Sequence, residues 1–153
     1  MVRLLKNRLK ESRERLGLTQ KQVASVFNVH ESTVSGWETG KDPIPLKKLI
    51  KYCELFDYSI DYILYISKFN QKYESLRQIN PKIIGDNLKK LRIKNNHSQE
   101  DVANFIKISQ SCYSNYEKGK ELITTFAIYT ISTTYMVSID KIIGKKEKEK
   151  ITS

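Results

Sequence analysis

The chain repeats itself. Sliding it by the 79 positions that separate Leu9 from Leu88 lays residues 8–64 on residues 87–143 without a gap. Arg13/Arg92, Gln20/Gln99, Val23/Val102, Ala24/Ala103, Ser32/Ser111, Ser35/Ser114, Glu38/Glu117, Gly40/Gly119 and Lys41/Lys120 are identical, as are Ile60-Asp61 and Ile139-Asp140. A gapless repeat of this kind means one structural unit used twice. The 153 residues therefore divide into two modules of roughly 60 residues each, rather than building one core.

The identities cluster in one stretch, TQKQVASVFNVHESTVSGWETG from Thr19 to Gly40. Its spacing predicts two short helices and a tight turn. Thr19 can cap the first helix, which buries Val23, Ala24 and Phe27 on one face. Asn28 marks the turn, because Asn enters the left-handed region at low cost. His30 or Glu31 opens the second helix, with Val34 and Trp37 facing inward and Glu31, Ser32, Ser35 and Gly36 left outside. Gly40 ends it. The second copy runs from Ser98 to Gly119. Its Ser-Gln-Glu-Asp opening is the stronger helix start, with Ser98 three residues before Asp101. Its turn is weaker: Lys107 replaces Asn28, at a cost on the order of 1 kcal/mol.

Around the first motif, Leu4, Leu5, Leu9 and Leu16 predict an amphipathic helix over residues 3–15 that Gly17 stops. The prolines after Lys41 predict a loop. Leu46, Leu49, Ile50, Cys53 and Phe56 then predict a fourth helix, and Ser59 caps a fifth carrying Ile60, Ile63 and Leu64. The first module is thus residues 1–66. Residues 67–80 form a connector without Gly or Pro, read as a helix, with a flexible linker as the rival. Asn80-Pro81 starts the second module, residues 81–144, as an N-cap followed by proline at the first helical position. Its fourth helix, ITTFAIYTISTTYM, is rich in Thr and β-branched residues, so packing must hold it. Residues 145–153, KKEKEKITS, read as a disordered basic tail.

The formal net charge of +10 suits a polyanionic partner, but the excess is spread along the chain and proves little alone. Cys53 and Cys112 lie far apart with no ligand spacing around them, which argues against zinc and against a disulfide framework. Cys53 reads as a small buried residue. His30 and His97 have no nucleophile or ligand set beside them, and the glycines form no phosphate-binding loop, so neither an enzyme nor a cofactor is expected. No signal peptide or long apolar run is present, so no membrane partner and a cytoplasmic location are expected.

Both repeats resemble the Cro/phage-repressor type of helix-turn-helix regulator, the XRE family. The pattern that carries the resemblance is Arg, then Thr/Ser-Gln-x-x-Val-Ala, then Ser-x-x-Ser-x-Tyr/Trp-Glu-x-Gly-Lys, and it spans nearly the whole chain. The resemblance implies an all-α protein of two tandem five-helix, lambda-repressor-like domains. It implies that Arg13 pairs with Glu38 and Arg92 with Glu117, tying the first helix to the end of the reading helix. It also implies base contacts from Glu31 and Ser32 in the first module and from Gln110, Ser111 and Asn115 in the second. Gln110 suits adenine, and Glu31 can accept from a cytosine amino group. Phosphate contacts fall to Thr19, Gln20, Thr33 and Lys41, and to Ser98, Gln99 and Lys120.

The function so implied is a DNA-binding transcriptional regulator, a repressor that occupies an operator on double-stranded DNA. The alternative is an antitoxin-like protein in which one module binds DNA and the other holds a protein partner or a second copy of the chain.

Overall fold

The computed structural model describes residues 4–149. Among these the chain is helical, and it forms two compact units, Met1–Gln71 and Lys72–Ser153. The first unit carries α1 (Leu9–Arg15), α2 (Gln20–Phe27), α3 (Glu31–Thr39), α4 (Leu46–Phe56) and α5 (Ile60–Ile63). The second carries α6 (Pro81–Lys94), α7 (Gln99–Ile106), α8 (Gln110–Glu117), α9 (Thr125–Tyr135) and α10 (Ile139–Ile142).

The core of the first unit joins Val23, Ala24 and Phe27 of α2 to Val34 and Trp37 of α3 and to Leu49, Ile50 and Cys53 of α4, all buried. The Phe27 and Trp37 rings meet edge to face at 5.8 Å, the geometry that aromatic quadrupoles favour. In the second unit Val102, Ala103, Ile106, Tyr113, Tyr116, Ile128 and Ser132 fill the matched places of Val23, Ala24, Phe27, Val34, Trp37, Leu49 and Cys53. The Thr-rich α9 is held as its composition requires. Thr124 caps the amide of Ala127, Thr130 and Thr133 bond back to the carbonyls of Phe126 and Tyr129, and Ala127, Ile128 and Ile131 are buried.

The repeat extends to the backbone dihedrals. All ten positive-φ residues among those described fall into five pairs at the repeat spacing: Gly17/Asn96, Asn28/Lys107, Gly40/Gly119, Asp57/Met136 and Tyr65/Gly144. Each pair ends a helix or turns the chain, so the turns are held by packing more than by residue type. The Gly40/Gly119 pair is the exception. A Cβ would lie 2.5 Å from the carbonyl oxygen of Leu5 at Gly40 and 2.7 Å from Cα of Lys82 at Gly119, so only glycine allows the backbones to approach.

The structure corrects three expectations. The first helix begins at Leu9, not near residue 3, and Leu4 is 56% exposed. Asn7 causes the delay: its amide donates to the carbonyls of Leu5 and Trp37 while its oxygen accepts the amide of Leu9. Residues 67–80 hold no helix, so the helical connector is not found. The chain there turns, with Ser67 bonding to the backbone of Phe69 and Asn70 reaching back to Ser59 and Asp57. Nor is the start of the tail disordered. Lys145 is buried with its ammonium 3.4 Å from the buried Asp140, and residues 146–148 run antiparallel to 72–74. The rest of the tail, 150–153, lies outside the described residues.

Lys107 holds φ 59° and ψ 47° at the turn between α7 and α8. Replacing Lys107 by Asn, the residue of the first copy, is expected to stabilise the second unit by up to about 1 kcal/mol. Urea denaturation of the two chains measures it.

Candidate nucleic-acid interface

In each unit one buried carboxylate ties three helices together. Glu38, at the end of α3, accepts two bonds from the Arg13 guanidinium of α1, from Nε at 2.6 Å and from Nη2 at 3.1 Å. It also accepts one from the Gln20 amide of α2 at 2.9 Å. Glu117 repeats this with Arg92 at 2.6 and 3.2 Å and with Gln99 at 2.8 Å. Both carboxylates are only 4% exposed. Each arginine spends a further N–H on the backbone, on Leu18 or His97, so the fork is satisfied on several sides. The pairing raises the pKa of Arg13 and of Arg92. Burial pushes the Glu117 carboxyl up, but bonds from Arg92, Gln99 and Tyr113 outweigh it and leave it below its ordinary value. Tyr113, buried beside Glu117, has its hydroxyl pKa pushed up.

The consequence is that α2 and α3, and likewise α7 and α8, are locked as pairs with the first turn of the later helix outward. His30 caps α3: its Nδ1 accepts the amide of Ser32 at 3.1 Å and lies 2.8 Å from the Ser32 hydroxyl. In the second copy Ser109 takes this place, capping the amide of Cys112, with its Oγ 3.1 Å from that of Ser111. Glu31 and Ser32 are exposed on the first turn of α3, and Gln110 and Ser111 on the first turn of α8. Asn115, one turn later, is half-buried.

Gly36, the residue matched to Asn115, is not on the outer surface as its spacing suggests. It is buried, and a Cβ there would lie 2.3 Å from Oδ2 of Asp42. The loop after α3 folds back, with the Asp42 amide bonding to the Gly36 carbonyl, and the Asp42 side chain covers the helix. Asp42 was not legible as part of this surface. The only hint is a glycine in a helix interior, which marks a close approach.

The expected phosphate contacts divide by what their side chains already do. Thr19 and Ser98 cap α2 and α7, each accepting the amide three residues on, in reciprocal capping boxes with Gln22 and Asp101. Those backbone bonds to Ser98 hold the Asp101 carboxyl below its ordinary value. Gln20 and Gln99 are half-buried and bound to the glutamates, a bond that uses one of the two amide donors. Thr33 is half-buried, whereas Lys41 and Lys120 are exposed just after the reading helices. Among the described residues no His, Cys, Asp and Glu group is placed to hold a metal ion, and no helix is long and apolar enough to cross a membrane.

Comparison with known proteins agrees with this geometry. A helix-turn-helix family model matches residues 9–63, and a helix-turn-helix domain model matches residues 85–148. This is a tandem helix-turn-helix protein. It is 32% identical over 71 residues to the HTH-type transcriptional regulator ImmR of Bacillus subtilis, covering 46% of this chain and 56% of ImmR. It is 37% identical over 57 residues to the uncharacterized HTH-type transcriptional regulator YobD of the same organism, covering 37% of this chain and 51% of YobD. It is also 28% identical over 151 residues to the glutamine--fructose-6-phosphate aminotransferase of Methanocaldococcus jannaschii, covering 87% of this chain but 13% of that protein. The chain thus spans about half the length of the two regulators and a small part of the third relative.

Because each helix-turn-helix hangs on one carboxylate, Arg92→Met is expected to cost the second unit about 3–5 kcal/mol by stranding Glu117. The folded pKa of Glu117 lies below its ordinary 4.5, so its contribution is complete above that pH. It is lost as the pH falls through the depressed value. Calorimetric melting between neutral pH and pH 3 should show this loss, and Glu117→Gln should flatten it.

Proposed function

We propose that this protein is a DNA-binding transcriptional regulator that acts by occupying its operator. The observation that carries the reading is the doubled geometry: two helix pairs, each clamped by Arg, Glu and Gln, each presenting the polar first turn of its second helix. Such a helix enters the major groove with its N-terminal residues on base edges. In this reading Gln110, Ser111 and Asn115 read bases for the second unit, and Glu31 and Ser32 for the first. The buried Gly36 supplies no side chain to a base edge, so the second unit reads one position more.

Phosphates are held by Lys41 and Lys120 and by the helix starts at Thr19 and Ser98, with Thr33, Gln20 and Gln99 alongside. Glu31-Ser32 and Gln110-Ser111 differ in chemistry. One chain using both units therefore recognises two dissimilar half-sites, whereas a homodimer using one unit per chain reads a palindrome. We take the asymmetric site as the more consistent with two clamped units in one chain. The related regulators support the assignment to transcription.

Random-library selection followed by a salt titration tests the proposal. Affinity for the selected duplex should fall on the order of 100-fold between 50 and 200 mM salt if about four phosphates are neutralised, and a salt-independent affinity overturns DNA binding. Gln110→Ala is expected to relax specificity at one base position by about 1–3 kcal/mol, while Lys120→Ala weakens all sequences alike. In footprinting, changing Gln110 and Asn115 together should erode one half-site only. A footprint over a perfect palindrome would instead assign the second unit to pairing or to a protein partner.

A further inference from the structure

The second unit contains a cleft that the DNA-reading function does not use. Its volume is about 450 Å³, within the ~300–1,000 Å³ range of small-molecule sites. Leu91 of α6, Val137, and Ile142 of α10 supply apolar walls, and Met136, 90% exposed, forms a lip. Lys90 and Lys141, both exposed, stand at its rim. None of the lining comes from α7 or α8, so an occupant would not cover the reading helix.

The first unit is an internal control, because the same backbone carries different side chains there. At the places of Asn87, Val137 and Lys141 stand Arg8, Tyr58 and Tyr62. The two tyrosine rings stack with centroids 5.9 Å apart, and the Arg8 guanidinium lies 4.1 Å over Tyr62. Lys90 is matched by Glu11, which is paired with Arg15 at 2.9 Å. Of the walls, Ile142 is matched by the apolar Ile63, whereas Leu91 is matched by Ser12 and Val137 by Tyr58. Leu91, Val137 and the two cations are thus particular to the second unit.

Apolar walls with two ammonium groups at the mouth complement a molecule that has an apolar body and an anionic head. Lys141 already pairs with a carboxylate, that of Glu147, 3.1 Å from its ammonium in an exposed pair. An exposed pair of this kind contributes little and is readily exchanged for another carboxylate. We propose that this cleft binds a small anionic amphiphile, its apolar body against Leu91, Val137 and Ile142 and its head between Lys90 and Lys141. The inference does not depend on DNA binding.

The test is a titration of the full chain, followed by the methyl NMR signals of its Leu, Val and Ile residues. The probes are octanoate, octanol and octyltrimethylammonium. Octanoate should shift Leu91, Val137 and Ile142 saturably and bind more tightly than the other two. Lys90→Glu, which installs the first unit's residue, should weaken octanoate roughly fivefold or more. Combining Asn87→Arg, Val137→Tyr and Lys141→Tyr should fill the cleft and abolish binding, with circular dichroism confirming the fold. If that triple variant does not fold, the Lys90→Glu result decides. No saturable shift, equal affinity for all three probes, or unchanged octanoate binding in Lys90→Glu overturns the proposal.

Discussion

A carboxylate on the last turn of a reading helix, buried against an arginine from the first helix of its unit, is the constraint on which each half of this protein depends. Glu38 and Glu117 each hold three helices at one point, with the glutamine of the supporting helix as the third partner. A buried ion pair is poor evidence of net stability, because desolvating two charges offsets most of their attraction. What it supplies is geometry. A misplaced α3 or α8 would leave a charge unpaired in a dry place, so the pair penalises wrong orientations of the helix that the proposed function assigns to DNA.

The remaining constraints are local and cheap. Thr19, His30, Ser59, Ser98, Ser109, Thr124 and Ser138 each satisfy a free amide at a helix start. Left-handed residues end or turn the helices at matched places in both copies, although Gly, Asn, Asp, Lys, Met and Tyr share the task. Lys107 and Met136 accept a backbone cost that their neighbours' packing offsets. Conformation has been kept where composition has drifted.

That drift separates the two units in surface chemistry. The first unit has a glycine covered by Asp42 where the second has Asn115, and a stacked Arg-Tyr-Tyr group at its α1 and α5 side. The second has an asparagine and an open cleft at the matched places. Two copies of one fold thus present different chemistry both on the surface assigned to DNA and away from it.

Much of this was legible in the residues. The repeat defined two units, and the caps at Thr19, Ser98 and Ser59, the turns at Asn28 and Lys107, and the inward Val34 and Trp37 follow from short-range rules that need only a few neighbours in the chain. The arginine–glutamate pairs were legible through the family pattern, not through spacing. What the sequence left open depends on groups far apart in the chain. Asn7 bonding to Trp37 delays α1, Asp42 folds back over Gly36, Asn70 reaches Ser59 in place of a helical connector, and Lys145 is drawn in by Asp140. A polar residue in a hydrophilic stretch carries no sign of such a partner. Local hydrogen-bonding and helix periodicity therefore determined the elements, while the tertiary structure decided which polar side chains are spent on the fold and which stay available to a ligand.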